Sequence, residues 1–290
     1  MSGITKAAGL KELPVGVRVG HSGAIKTRCL NKPNTVLAAT VGALAAVTVL
    51  TFVLMDYGDT PLATAAADAV GDFFTMLTQP GLGGHFTFAD LAEGVLTSIA
   101  LATLTTVLGA VIAFVLGLLA AMNLSNRVVS NAIKALMSLF RAIPTILWVL
   151  IFTVAIGLGP EAAVAGLLFH GVAYLTKAYS ESFEEVDPGV LEALRASGAS
   201  WWQVVFLAVV PEKLTEILSW TFIRFEINFV NAVAVGAVAG AGGIGYQLFL
   251  AGSFYYDIHE VGIIVYFCLA VAIALEVLST QLRKRYLVQS

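Results

Sequence analysis

The segment from Asp187 to Lys213 reads DPGVLEALRASGASWWQVVFLAVVPEK and joins two long apolar stretches. Asp187-Pro188-Gly189 is a turn signal followed by a helix start, and Gly198 is expected to end that first helix. Ser200 can cap a second helix, and Pro211 predicts a bend into the next apolar stretch. We therefore expect two short helices at an angle, with apolar residues left exposed. Such a surface is suited to binding another protein.

The composition places this segment in a membrane protein. Of the 290 residues, 58% are hydrophobic and 12% are charged, whereas an ordinary globular domain is about 45–50% apolar and about 25% charged. A soluble fold could not cover so much apolar surface, and disordered or disulfide-rich classes are excluded by the same numbers. The net charge of −3 gives no indication of a nucleic-acid partner.

Six stretches are apolar enough to be read as membrane spans, for which about 20 residues are needed. The third is interrupted by Arg141 and Pro144, and the fifth carries Arg224 and two glutamates. Residues 62–77 have helical spacing, which fits either a helix on the membrane surface or a linker. The six predicted spans are 33–55, 94–126, 132–158, 162–178, 214–238 and 261–281.

The cations predict the topology, because cytoplasmic loops are enriched in Lys and Arg. Both termini and the segment that holds the two short helices are therefore expected in the cytoplasm of a multi-pass cell-membrane protein. Lys and Arg occur in 1–32, 127–134, 177–213 and 283–285, and are absent from 56–93, 159–161 and 237–260.

Five residues of the opening segment carry a resemblance to a known family. Glu192, Ala193, Leu194, Gly198 and Pro211 resemble the E-A-A-x3-G-x9-I-x-L-P pattern of the EAA loop in ABC importer permeases. Leu194 stands where the family has Ala, and the Ile and Leu positions are also changed to other apolar residues.

The resemblance implies an all-α membrane protein with the type I ABC importer permease fold of about six transmembrane helices. In that family the loop forms cytoplasmic coupling helices that dock into a separate ATPase, with the Glu contacting the partner. The alternative is an amphipathic connector lying on the membrane. No Gly-Lys pair of a P-loop occurs in the sequence, so we expect no cofactor here, with ATP-Mg on the partner ATPase and no catalytic residue in this chain.

A second set of motifs narrows the resemblance to phosphonate-type permeases. Residues 141–148, RAIPTILW, resemble the family's R-[AS]-I-P-x-[IL]-x-W, and 240–245, GAGGIG, resemble its V-G-A-G-G-I-G. The likeness covers about residues 85–288; members often carry Arg at the place of Val230. It implies transport of a phosphonate, phosphite or phosphate, two ATPase subunits and an extracytoplasmic binding protein. Two permease copies are expected to form the pathway, as a homodimer or, alternatively, as a heterodimer with a similar permease.

Several polar residues and glycines are candidate site residues. Polar groups inside spans usually face a cavity or a partner, so the translocation pathway is assigned Arg141, Pro144, Arg224, Asn228 and Asn231. Alternatively, Arg141 reaches lipid phosphate and the two asparagines hold helices together. Gly240, Gly242, Gly243 and Gly245 are expected to form an outer turn rather than a dinucleotide site. The histidines at 21, 85, 170 and 259 show no metal-binding spacing, so we expect no metal.

These expectations divide the chain into five parts. They are a cytoplasmic arm (1–32), a first transmembrane helix (33–56), an extracytoplasmic segment (57–90), the permease domain (91–284, with the coupling loop at about 186–212) and a cytoplasmic tail (285–290). Other hypotheses remain open: a permease for methionine, glycine betaine or amino acids, and an ATP-independent channel or secondary transporter. A membrane enzyme is disfavoured, because neither a paired carboxylate nor a Ser/His/Asp set is evident.

Overall fold

The computed structural model describes residues 18–19, 25–26, 32–55 and 61–282. Most of the predicted arm 1–32 and all of the tail 285–290 lie outside these ranges. The chain divides into two units, Met1–Asp68 and Ala69–Ser290. The first contains β1 (Arg18–Val19) paired antiparallel with β2 (Ile25–Lys26), and α1 (Lys32–Leu54).

The remaining described chain is helical. Its elements are α2 (Leu62–Thr78), α3 (Phe88–Ala120), α4 (Arg127–Ala142), α5 (Thr145–Ile156), α6 (Pro160–Glu184), α7 (Pro188–Ala196), α8 (Trp201–Val204), a π-helical turn (Val205–Val209), α9 (Val210–Ala239), α10 (Gly243–Ser253) and α11 (Ile258–Leu282). The helical spacing of residues 62–77 therefore marks a helix, α2.

Four helices in the described ranges are long and apolar enough to cross a membrane: α1, α3, the continuous helix Trp201–Ala239, and α11. The pair α4 and α5 makes a fifth span if the two count as one. Each of the six predicted spans lies mostly on a helix or on that pair, although 94–126 extends past α3 and 162–178 lies in α6, which is more polar. Because α6 is packed against α3, α4, α5 and α9, fewer of its side chains require a lipid-compatible surface.

The third predicted span is sharply broken. The axes of α4 and α5 differ by 86°, and the break lies at Ile143-Pro144. A residue before proline is driven out of the helical region, and Ile143 indeed has φ −90° and ψ 121°. Pro144 then precedes the first turn of α5, where a missing N–H costs little. The interruption seen in the sequence is therefore a corner in the backbone.

Small residues allow the helices of the second unit to approach closely. A Cβ at Gly166 of α6 would overlap the backbone of Val149 in α5, and one at Gly245 of α10 would overlap the carbonyl oxygen of Val233 in α9. Helix packing in lipid depends on such contacts because water supplies no hydrophobic force there. The bundle of α3, α6 and α9 forms the buried centre, with Leu167 among its fully buried side chains.

Candidate functional site

The segment 186–212, called here the helical loop, forms the two predicted short helices. Asp187 caps α7, its Oδ1 accepting a hydrogen bond from the Gly189 N–H at 2.8 Å. Gly198 has φ +87°, a left-handed conformation that favours glycine and ends the helix. Ser200 and Gln203 form a capping box at the start of α8. The local sequence signals therefore fix the corner between the helices.

The entry into α9 differs from the predicted bend. The helix is continuous from Trp201 to Ala239 and contains a π-helical turn at Val205–Val209. Pro211 falls in the first turn of α9. Proline lacks an N–H and its ring crowds the carbonyl four residues earlier. The wider π-helical turn lies where that carbonyl, at Leu207, must be accommodated.

The inner side of the helical loop is hydrogen-bonded to the turn between α3 and α4. Arg195 Nη2 donates to the carbonyl of Asn123 at 2.6 Å, and Trp201 Nε1 donates to the carbonyl of Leu124 at 2.8 Å. Leu191 is buried in the apolar cluster at this end of the bundle, and Leu194 packs against the same cluster. Leu194 therefore faces the bundle. Because of this, having Leu where the family pattern has Ala leaves the opposite side of the helical loop unchanged.

The outer side of the helical loop is open. Glu192, Ala193 and Gly198 are exposed. Trp202 is 59% exposed and Phe206 is 55% exposed, and their rings stack at 5.9 Å. The loop thus combines a carboxylate with large apolar groups on a backbone that is anchored from behind.

Acidic residues surround a lysine where the helical loop meets α9. Lys213 Nζ lies 3.0 Å from Glu216, 3.7 Å from Glu185 and 3.9 Å from Glu212. The Glu185 contact joins the end of α6 to the start of α9. The loop is therefore held at its base as well as along its inner side.

The residues assigned to the pathway do not form one site. Arg224 and Asn228 are 1% and 0% exposed and lie on the buried face of α9. Arg224 Nη1 is 3.4 Å from His170 Nδ1, and its guanidinium lies 5.4 Å from the ring centroid of Tyr174. Asn228 Nδ2 donates to Thr106 Oγ1 at 2.9 Å. These two side chains tie α9 to α6 and α3, as in the alternative in which asparagines hold helices together.

Asn231 and Arg141 lie in two different cavities. Asn231 lines a cavity of about 340 Å³ between α9 and α11, together with Glu226 and Glu276. Arg141 lines a cavity of about 260 Å³ that includes residues of α4 and α6. Pro144 is exposed at the corner that follows α4. The sequence assigned these residues to one pathway but could not show which neighbouring helix covers each of them.

Gly240, Gly242 and Gly243 form a turn between α9 and α10, whereas Gly245 lies within α10. Gly240, Gly242 and Gly243 all have positive φ, at +60°, +75° and +77°, and Gly245 allows α10 to contact α9. The Ile244 N–H donates to Ser98 Oγ at 3.2 Å, which joins this turn to α3. The arrangement accounts for the glycines by backbone geometry and packing.

A cluster that the sequence analysis missed joins the segment before α3 to the start of α11. His85, Asp257 and Glu260 place ligand atoms within 4.8 Å of one another, as a metal site would require. Glu260 is fully buried, and its Oε1 accepts hydrogen bonds from the N–H groups of Gly83 and His85 at 3.0 and 2.9 Å. Its Oε2 is 3.0 Å from His85 Nδ1. The carboxylate therefore already has protein partners, and a metal would have to displace the hydrogen of His85 Nδ1. About 175 residues separate the partners, so no spacing rule could have found them.

Comparisons with known proteins agree with this architecture. The model of the family "Binding-protein-dependent transport system inner membrane component" matches residues 113–289. The phosphate-import permease protein PhnE of Mycolicibacterium smegmatis is 30% identical over 246 residues, covering 84% of this chain and 45% of that protein. The phosphite transport system permease protein PtxC of Stutzerimonas stutzeri is 32% identical over 159 residues, 55% of this chain and 57% of that protein. The chain thus spans about half the length of these curated relatives.

Solved structures show the same fold. A chain of the MetNI methionine ABC transporter in an inward-facing conformation superposes with a TM-score of 0.62 at 22% identity, covering 68% of this chain and 96% of that chain. A chain of a bacterial ABC transporter that imports alginate gives a TM-score of 0.60 at 12% identity, covering 86% and 96%. With the family model matching most of the second unit, the chain belongs to the family of binding-protein-dependent transport system inner membrane components.

Proposed function

We propose that this chain is the permease subunit of an ATP-driven importer of a small phosphorus oxyanion, namely a phosphonate, phosphite or phosphate. Membership of the binding-protein-dependent family supports the transport mode. The phosphate and phosphite permeases among its relatives support the substrate class. In this proposal ATP-Mg is held by a partner ATPase, and an extracytoplasmic binding protein delivers the substrate.

The observation that carries the proposal is the two-sided helical loop. Its inner side is hydrogen-bonded through Arg195 and Trp201 to the turn between α3 and α4, while Glu192 and Trp202 are exposed on the other side. A rigid element that is anchored to the bundle and open to a partner can pass a displacement between them. We assign the exposed side to the ATPase, one ATPase subunit for each of two permease copies.

The proposed topology and pathway follow from assigning the exposed side of the helical loop to the ATPase. Because ATPases act in the cytoplasm, the helical loop and both termini are placed on the cytoplasmic side, in agreement with the cation distribution. A second copy of the chain would complete the pathway, with Arg141 and Asn231 as its candidate lining residues, since both line cavities. The buried Arg224 and Asn228 are assigned a structural role.

The test is ATP hydrolysis by the assembled complex in nanodiscs, with its ATPase and binding protein. We expect methylphosphonate, phosphite or phosphate to stimulate hydrolysis and methionine to have no effect. Stimulation by methionine alone would replace the substrate class by that of the methionine permeases. Uptake of any of these compounds without ATP would overturn the ATP-driven mode and favour a channel or secondary transporter.

The coupling role is tested by variants in the helical loop. Gly198→Pro fixes φ near −65° where the corner has +87°, so we expect hydrolysis to continue while uptake falls at least tenfold. Glu192→Lys reverses the exposed charge and should act in the same way. Gly198→Asn is the matched control, because Asn tolerates a left-handed conformation. Unchanged uptake by Gly198→Pro and Glu192→Lys would refute the coupling role.

A further inference from the structure

A polar cavity at the α4–α6 contact contains more cationic groups than its own acidic residues neutralise. It has a volume of about 260 Å³ and is lined by Lys134, Arg141, Thr176, Lys177, Glu181 and Glu184, among others. Glu184 also accepts a hydrogen bond from the Met122 N–H at 2.7 Å. The cavity therefore lies at the end of the bundle that carries the helical loop.

Four of the five charges in the cavity are paired with one another. Lys134 Nζ lies 2.7 Å from Glu184 Oε1, and Lys177 Nζ lies 3.2 Å from Glu181 Oε1. Within the described part of the chain, Arg141 has no carboxylate oxygen within the 4.0 Å of an ion pair. The cavity is left with one positive charge in excess, carried by a guanidinium.

Two residues that line the cavity each have a buried polar atom without a hydrogen-bond partner among the described residues. These atoms are Nε of Arg141 and Oγ1 of Thr176, a residue that is 1% exposed. Helical threonines elsewhere in the bundle donate to the carbonyl four residues earlier, as Thr103 and Thr221 do at 2.8 and 2.7 Å. An unpaired buried donor is destabilising, and more so when the group is charged. A ligand rich in acceptor oxygens would remove both penalties.

We propose that this cavity binds a tetrahedral phosphorus oxyanion, with the guanidinium of Arg141 and the hydroxyl of Thr176 as its direct ligands. A planar guanidinium presents a fork of donors that matches two oxygens of such a group. The inference rests on the proposed function for the identity of the free ligand. It adds a binding site near the end of the pathway that faces the ATPase, where the transported anion pauses before release.

The same chemistry is available from two sources. Thr176 lies eight residues before the end of α6 at Glu184, which is about 12 Å along a helix. At that depth either a free phosphate or phosphonate, or the phosphate of a lipid headgroup, can reach the cavity. Both sources predict that binding depends on Arg141 and Thr176.

The experiment measures both sources on the full chain purified in detergent. Binding of radiolabelled phosphate and of methylphosphonate is followed by equilibrium dialysis, and retained phospholipid is followed by native mass spectrometry. We expect Arg141→Gln to weaken binding at least tenfold and Thr176→Val about threefold. Arg141→Lys, which keeps the charge but loses the fork, should show an intermediate loss. Arg127→Gln is the matched control, since it removes an exposed cation from the same helix outside the cavity.

Each outcome decides the proposal. Oxyanion binding that is lost in Arg141→Gln supports the site with a free ligand, and phospholipid retention lost in that variant supports it with a lipid ligand. Should neither ligand bind, or should both bind equally well to Arg141→Gln and the wild type, the proposal is wrong. If Arg141→Gln fails to fold, Thr176→Val and Arg141→Lys provide the same comparison. If oxyanions stimulate ATP hydrolysis but do not bind in this cavity, the proposed function stands and this site is refuted. If oxyanions bind in this cavity but do not stimulate hydrolysis, this site stands and the proposed function is refuted.

Discussion

Two side-chain hydrogen bonds hold the helical loop against the turn between α3 and α4, and removing both should loosen the loop while the bundle stays folded. Arg195 donates to the carbonyl of Asn123 at 2.6 Å and Trp201 donates to the carbonyl of Leu124 at 2.8 Å. The acceptors are adjacent, so the two bonds act on the same junction. The perturbation is the pair Arg195→Ala and Trp201→Phe, alone and combined.

The expected magnitude follows from the exposure of the two donors. A hydrogen bond from a charged donor contributes about 1.5–3 kcal/mol when buried, and the exposed position of Arg195 lowers this to about 1 kcal/mol. The neutral bond from the partly buried Trp201 is also worth about 1 kcal/mol. Together they contribute about 2 kcal/mol, which corresponds to about a 30-fold change in an opening equilibrium.

Hydrogen exchange read by mass spectrometry on peptides from residues 187–204 measures that opening. The helix α7 has only nine residues, too few to be stable by itself in water, so its amide protection depends on docking. We expect protection to fall about fivefold in each single variant and about 30-fold in the double variant. Trp202→Phe is the matched control, because this neighbouring indole is mostly exposed.

Unchanged exchange in the double variant would refute the idea that these bonds anchor the helical loop. An equal rise in exchange across α3 and α6 would show global destabilisation instead. In the reconstituted complex, the double variant should also transport fewer substrate molecules per ATP. That second result depends on the proposed function, whereas the exchange result does not.

Two further predictions concern packing and the buried carboxylate. Gly245→Ala forces a methyl group onto the backbone of Val233, so the thermal unfolding midpoint should fall as expected for a loss of about 2–3 kcal/mol. The control is Gly252→Ala in the same helix, where a Cβ meets only an ordinary contact at 3.6 Å, and it should be neutral or stabilising by up to about 1 kcal/mol. Equal effects of the two substitutions would contradict the packing argument. Glu260→Gln replaces an anionic acceptor of backbone N–H groups by a neutral one, so hydrogen exchange of the peptide 81–88 should accelerate about tenfold. Glu93→Gln, at an exposed position, is the control and should leave this exchange unchanged. No acceleration in Glu260→Gln would show that the carboxylate does not hold this segment.

Local signals in the sequence were sufficient for the helical loop. Asp187, Gly198 and Ser200 act on their own backbone within three residues, so the helix start, the corner and the second cap could be predicted without knowing the fold. Pro211 shows the limit of such reasoning. Its ring demands extra room, and a π-helical turn within a continuous helix supplied that room where a bend was expected.

Signals that depend on distant partners were not accessible. The Glu260 carboxylate is paired with residues about 175 positions away, and nothing local to residues 257–260 predicts that partner. The polarity of α6 reduced its resemblance to a span, yet more than half of its residues are buried. Hydropathy reports how a helix would suit lipid, and a helix surrounded by other helices is released from that requirement.

The two interior arginines show why burial must be considered together with charge. Both Arg141 and Arg224 interrupt apolar stretches, and the sequence alone assigned them the same role. Arg224 is enclosed by helix backbone at Gly171, by the Tyr174 ring and by His170, so a transported anion could reach it only if α6 and α9 separated. Arg141 lies on the wall of a cavity already large enough for a small anion. A charge that must meet a moving ligand has to be accessible without opening the core, so Arg141 is the one expected to contact substrate and Arg224 the one expected to hold the bundle together.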